Sequence, residues 1–337
     1  MHALILAPFD EGQLVRLRTQ MDVSYESWLD TRMLTDPDEL TARILTEEIS
    51  ILVVEADFVF EETFQECPGL RFVGICRGST TQVDIETAAE HGVIVVNTPG
   101  RNARAVAEHA LALILSLARR ITEAHEYVSS GSWLHPIAGY TDFRGVEVGV
   151  RTVGVVGLGA IGRTLSEMCA GLGMKVVAYD PYVTDTPDDV SMVDLDTLAK
   201  VSDFISVHVP ATPDTTGLLD AEFFAQVKPS AYLVNCSDFQ IAEEAALLDA
   251  LRKRSISGAA FDVFETHPIA PGNPLLELDN VILTPHVGGA TDETIERHSK
   301  MVTDDIISFI EGRRPANLVV PKVWPDRHNF PSPSTGL

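Results

Sequence analysis

Short apolar runs separated by amphipathic stretches recur along this chain and fall into two series. In the first, residues 2–7, 23–28, 51–54, 72–76 and 93–97 are rich in Val, Ile and Leu and bounded by turn residues, a pattern that predicts buried parallel strands. Polar helical stretches between them predict a small doubly wound α/β domain. A helical period then runs from residue 102 to 120, with Val106, Ala110, Leu113, Ile114 and Leu117 on one face, long enough for a crossover between domains. The second series, 152–156, 175–179, 204–207, 231–235, 259–263 and 281–283, predicts a larger parallel sheet. An amphipathic helix over 292–310 has no strand to feed in that sheet, so it is expected to return to the first domain and make it discontinuous. The expected organisation is 1–101 completed by 290–320, then 102–289, with a Pro- and Ser-rich tail at 321–337 that reads as mobile.

Between the strand at 152–156 and the helix that follows it stands Gly157-Leu158-Gly159-Ala160-Ile161-Gly162. Gly157 permits a sharp turn, Gly159 lets the backbone approach a diphosphate, and Gly162 lets helix pack closely on strand, so the helix N-terminus, at Ala160 and Ile161, faces an anion. Glycines at this spacing are weak evidence alone. Here the flanking strand and helix are present, and Asp180, followed by Pro181, ends the next strand. A carboxylate there accepts both ribose hydroxyls of NAD and repels a 2'-phosphate, so the expected cofactor is NAD in a Rossmann domain.

A length of 337 residues suits two domains. The formal charge of −24 disfavours nucleic acid, whose binding requires cations that neutralise phosphates. Absence of an apolar run long enough for a membrane span, and of a leader-like N-terminus, predicts no membrane association and a cytoplasmic setting. The four cysteines, Cys67, Cys76, Cys169 and Cys236, lack CxxC spacing, so neither a disulfide nor a metal site is expected.

From about residue 50 to 312 the chain resembles the D-isomer-specific 2-hydroxyacid dehydrogenases. The resemblance rests on Asn97-Thr98-Pro99 with Ala107-Glu108-His109-Ala110, the glycine loop, His208-Val209-Pro210 with Thr212 and Thr215, and Lys228-Pro229. It continues through Gly258-Ala259-Ala260-Phe261-Asp262-Val263-Phe264 and Leu283-Thr284-Pro285-His286-Val287-Gly288-Gly289. The resemblance implies a flavodoxin-like substrate domain, or lid, and a Rossmann NAD-binding domain with a cleft between them. It implies His286 as the group that exchanges the hydroxyl proton while hydride moves to or from nicotinamide. Besides the glycine loop, Asp180 and Pro181, the implied cofactor contacts are His208, Val209, Pro210, Thr215, Asn235, Cys236, Ser237, Asp262, His286, Gly288 and Gly289. Implied substrate contacts are Arg77, Gly78, Ser79, Asn97 and Arg101. A homodimer through the NAD-binding domains is implied by the crossover helix.

Two positions depart from the family pattern. Where the family carries an arginine that grips the substrate carboxylate, the run Asn235-Cys236-Ser237-Asp238 ends in an acid, and the spacing through Leu251 fits without a gap. Where the family carries a glutamate before proline to pair with the catalytic histidine, Glu265-Thr266-His267-Pro268 has His267. An imidazole fixes a tautomer but supplies no negative charge, and either Asp238 or Glu265 is available as an acidic partner instead. An anion at 238 penalises a 2-oxo acid, since like charges at close range in a partly dry site cost several kcal/mol.

The expected function is NAD-dependent oxidation or reduction of a small, atypical hydroxy or oxo compound, with His286, Asp238 and His267 as the catalytic set. The alternatives are a catalytically silent NAD(H)-binding sensor or scaffold, and a lyase or epimerase that retains NAD.

Overall fold

The computed structural model describes residues 1–326 and divides the chain into two compact units, Met1–Arg101 with the segment from Thr291 onward, and Asn102–Ala290. In the first unit, β1 (His2–Ile5), β2 (Asp22–Tyr25), β3 (Ile51–Val54), β4 (Phe72–Ile75) and β5 (Ile94–Asn97) form one parallel sheet in the order β2-β1-β3-β4-β5. This is the flavodoxin-like order. Leu40, Ile44 and Phe64 cover one face, and Leu14, Leu17, Val302 and Phe309 cover the other, with Phe309 tilted against Phe72 at 5.3 Å between ring centroids.

The helix Asp292–Ile310 supplies part of that second layer, as its lack of a strand partner predicts. Thr291 caps it by accepting the Thr294 amide. Beyond it the chain returns to the sheet edge, where Val319 N donates to Val95 O. The run 23–28 does not remain a strand throughout: β2 stops at Tyr25, and Ser27 caps a single helical turn, Trp28–Thr31. Of the tail read as mobile, Pro321–Asp326 forms a 3-10 turn that buries Val323; residues 327–337 lie outside the described residues.

The second unit contains β6 (Thr152–Val156), β7 (Lys175–Tyr179), β8 (Val190–Met192), β9 (Phe204–Val207), β10 (Tyr232–Asn235), β11 (Gly258–Phe261) and β12 (Val281–Leu283). All pair in parallel in the order β12-β11-β10-β9-β6-β7-β8. Strand order reverses between β6 and β9, so the loops that leave their carboxyl ends diverge there and open a crevice. The crossover helix Ala103–Arg119 buries Ala110, Leu113, Ile114 and Leu117 against Leu165 and Cys169 of the helix Ala160–Gly171, each large aliphatic side chain contributing roughly 2 kcal/mol. Two further helices, Ile121–Ser129 and Pro136–Asp142, bury none of their residues.

Candidate functional site

The glycine loop sits at that crevice, and its three glycines answer to different neighbours. Gly157 has φ +95°, and a Cβ there would lie 2.8 Å from His208 O and 2.6 Å from Val209 Cγ1, so the loop after β6 rests on the loop after β9. A Cβ on Gly162 would lie 2.0 Å from Gly157 O, which is the close helix-on-strand packing expected of it. Gly159 is different: a Cβ there would meet nothing within 4 Å. It is the N-cap of the helix Ala160–Gly171 and makes no side-chain cap, so the first-turn amides of Ala160, Ile161 and Gly162 receive no capping side chain. The protein itself gives no reason to exclude a side chain at 159. An anion seated on those amides does.

Asp180 follows β7 and already binds two backbone amides: Leu158 N donates to Oδ2 and Tyr182 N to Oδ1, each at 2.9 Å. The carboxylate therefore ties the glycine loop to the segment that begins with Pro181, and its remaining lone pairs can accept ribose hydroxyls.

Several other residues matched to the cofactor have inward bonds. His208 is buried with Nε2 2.8 Å from Ser206 Oγ, and burial lowers its pKa to about 4, so its ring is neutral and belongs to the core beneath the loop. Thr215 folds the 210–216 turn by donating to Pro210 O and accepting from Thr212 N. Ser237 Oγ donates to Val209 O, Asn235 Oδ1 accepts Ser237 N, and Asn235 Nδ2 donates to Asp238 O, so 235–238 is a self-bonded turn joined to the β9 loop. Burial, aided by the nearby Asp262 charge, pushes the Cys236 thiol up to about 12, which leaves it inert.

Asp238 has a local explanation that sequence alone hides. It is extended at φ −145°, and its Oδ1 accepts Gln240 N at 3.0 Å, capping the 3-10 turn Phe239–Ile241. An arginine cannot make that cap.

At the ends of β11 and β12 lies a densely bonded group. Asp262, 2% exposed, accepts the Thr284 hydroxyl at 2.6 Å and Val287 N at 2.9 Å on Oδ1, and Gly288 N at 2.7 Å on Oδ2. His109, from the crossover helix, brings Nε2 within 3.1 Å of Thr284 Oγ1 and 3.4 Å of Asp262 Oδ1. Burial alone would raise the Asp262 pKa, but the bonds from His109, Thr284, Val287 and Gly288 outweigh it and hold the carboxyl down at about 2. Asp262 is thus turned into the protein, with its acceptors occupied by the turn that carries His286. Gly289 adjoins Asn102, whose Nδ2 would be 3.1 Å from an added Cβ. Sequence reading names His109 within a motif but gives it no role at the site, because its partners lie more than 150 residues away.

His286 itself adopts φ +55°, a left-handed conformation unusual outside glycine, and its Nδ1 is 3.0 Å from Nε2 of His267. The ring centroids are 4.7 Å apart. His267 thus reaches His286, whereas the Asp238 side chain is committed to its cap.

Within the first unit, the residues matched to substrate gather at the ends of β4 and β5. Asn97 Nδ2 donates to Gly78 O at 2.7 Å, Thr98 N to Arg77 O at 2.9 Å, and Ser79 Oγ bonds Thr81 Oγ1 at 3.1 Å. Arg101 is not held out toward a ligand. Its guanidinium is buried between Glu55 Oε1 and His298 Nδ1, and its carbonyl accepts from Arg297 Nε, so its charge is already neutralised.

Residues 111–288 match the family model for the NAD binding domain of D-isomer specific 2-hydroxyacid dehydrogenases. The D-3-phosphoglycerate dehydrogenase of Archaeoglobus fulgidus is 37% identical over 84% of this chain, which spans only 54% of that protein's length. A glyoxylate reductase of Korarchaeum cryptofilum is 38% identical over 78% of this chain and 80% of its own. Among solved structures, an acyclic imino acid reductase in complex with NADPH and D-Arg superposes with a TM-score of 0.81 at 25% identity, covering 95% of this chain and all of that one.

Proposed function

The chain belongs to the D-isomer-specific 2-hydroxyacid dehydrogenase family, its second unit being an NAD(P)-binding domain, and we propose that it is an oxidoreductase acting on a small hydroxy, oxo or imino compound. One observation carries the cofactor reading: Gly159 stands at an uncapped helix N-terminus where no protein atom excludes a side chain. When bound, the nicotinamide supplies the hydride acceptor or donor. The residues of the chain do the rest. The amides of Ala160 and Ile161 hold the diphosphate, and Asp180 accepts the ribose hydroxyls, favouring NAD over a cofactor with a 2'-phosphate.

His286 exchanges the proton of the reacting oxygen or nitrogen through Nε2, while its Nδ1 is held by His267. For Nε2 to serve as base, Nδ1 must carry the proton and donate it to His267 Nε2, so His267 selects the working tautomer. A neutral imidazole performs this role without the negative charge of the usual glutamate. Asp238 replaces a cation with an anion where the family grips a carboxylate, so the substrate carries a neutral or cationic group there. The similar imino acid reductase is solved in complex with D-Arg, a ligand with a cationic side chain beside its carboxylate.

The helices Ile121–Ser129 and Pro136–Asp142 support a further reading, a homodimer through the second unit. Trp133 is 53% exposed, Leu134 77%, Ile137 74% and Tyr140 75%, and Ile121 and Val128 are also open. Helices this short are marginal in water without an apolar face to pack, and a second copy of the same surface supplies one. A reducing cytoplasmic setting suits four cysteines without paired spacing.

The test of the catalytic reading is the 340 nm absorbance of the cofactor with a panel of 2-oxo acids, imino acids, polyols and amino alcohols. Turnover by the wild type, lost in His286→Ala with NADH binding intact, is the expected result. No turnover with any member of the panel contradicts it.

A further inference from the structure

The turn 284–288 holds His286 at φ +55°, in the left-handed region that is uncommon outside glycine. The bonds that fasten this turn include several within the second unit. Asp262 receives donors from both sides of His286: the Thr284 hydroxyl before it, and the Val287 and Gly288 amides after it. Since the Thr284 hydroxyl gives its own proton to Asp262, its oxygen is an acceptor toward His109, which places the His109 proton on Nε2. That proton also lies near Asp262 Oδ1. Room for the turn is tight as well: a Cβ on Gly288 would lie 2.9 Å from Asp262 Oδ2 and 3.5 Å from His109 Cδ2.

We propose that His109 is a positioning residue for His286: through Thr284 and Asp262 it fastens the turn 284–288 to the crossover helix and so fixes where the imidazole stands. This role rests on the reading of His286 as the proton-exchanging group; the clasp itself does not. Charge-assisted hydrogen bonds to a buried carboxylate are the stronger kind, and His109 is the member that joins this set to a long helix with a buried face. Bonds from Thr284, Val287 and Gly288 shape the turn locally; the bond from His109 sets its place on the domain. Pre-organisation of this type shows in kcat rather than in cofactor affinity.

The experiment compares wild type with His109→Leu, which keeps bulk but removes the donor, and His109→Gln, whose amide N–H can reach the Thr284 hydroxyl. Amide hydrogen exchange of Val287 and Gly288, read by NMR on the full chain, should be slow in wild type, about tenfold or more faster in His109→Leu, and restored toward wild type in His109→Gln, while β6 and β9 amides stay unchanged. With a substrate that the wild type turns over, kcat should fall in the Leu variant and recover in the Gln variant, with the NADH Kd within about threefold throughout. Equal exchange in wild type and His109→Leu, or no recovery in His109→Gln, overturns the proposal. Should the Leu variant fail to fold, Thr284→Val removes the same bond from the other end and is expected to show the same local acceleration; unchanged exchange there also overturns it. If exchange behaves as expected but no substrate is ever found, the clasp stands and the catalytic reading of His286 falls.

Discussion

His267 Nε2 lies 3.0 Å from His286 Nδ1, so on the proposed reading an imidazole orients the histidine that exchanges the proton. A partner that fixes a tautomer is worth roughly 10- to 100-fold in activity by analogy with outer-shell residues at other sites. His267→Ala should lower kcat by that order with little change in NADH affinity, and His267→Glu should retain or raise activity. Steady-state kinetics with one substrate and a direct NADH titration check this; an Ala variant as active as wild type contradicts it.

Asp238 is an acid whose side chain caps the turn that follows it. Asp238→Arg combined with His267→Glu should confer reduction of a plain 2-oxo acid, since the guanidinium can grip the carboxylate in bidentate fashion. It should also lower stability by about 1 kcal/mol, because the cap on Gln240 N is lost. NADH consumption with 2-oxo acids and a denaturant titration measure the two effects, and absence of any gain with 2-oxo acids counts against the charge argument.

Acid sensitivity follows from two buried histidines. Burial lowers the pKa of His208 to about 4, and burial together with the Arg101 charge, against the opposing bond to Pro8 O, lowers that of His298 to about 4. Both groups disfavour the proton in the folded state, so the unfolded chain binds more protons below its histidine pKa near 6.5. Their contribution to stability is complete above about pH 6.5 and is lost as pH falls toward 4, each on the order of 3 kcal/mol. Asp262, held at about 2, is lost only below the usual carboxylate range and does not govern this window. Thermal melts should show Tm falling between pH 6.5 and 4.5, with a shallower fall in His298→Gln; an identical pH slope in that variant contradicts the assignment.

The exposed helices predict association through the second unit. Trp133→Ser with Ile137→Ser should convert a dimer to monomers in light scattering at micromolar concentration, with NADH binding preserved. A wild-type monomer under the same conditions contradicts it.

Much of this architecture is legible from local pattern. Continuous Val and Ile runs mark β3, β4, β6 and β9 because strands buried on both faces show no alternation, and the face Val106, Ala110, Leu113, Ile114, Leu117 of the crossover helix is buried as its period predicts. The edge strand β8, Val-Ser-Met, is too short and too exposed to give a period. The helices at 121–129 and 136–142 escape for the same reason, having no buried stripe. At the site, position is legible but bonding is not. The side chains of Asp262, His208 and Thr215 bond to the protein itself: His208 and Thr215 to neighbours within five residues, Asp262 to a turn 22 to 26 residues later, and a motif pattern shows neither kind of bond. Arg101 reads as a cation for substrate until Glu55, 46 residues earlier, is found paired with it.

The account depends most on what Gly159 is for. A Cβ there meets no protein atom, so Gly159→Ala should fold with a stability change of roughly 0.5–1 kcal/mol, whereas Gly162→Ala drives a methyl into Gly157 O and should cost 1–3 kcal/mol or more. Calorimetric titration of NADH into cofactor-stripped wild type and Gly159→Ala is the most direct test. Binding by the wild type, weakened about tenfold or more in a variant that melts near the wild-type temperature, is the result expected; no binding by the wild type, or equal binding by the variant, contradicts the account.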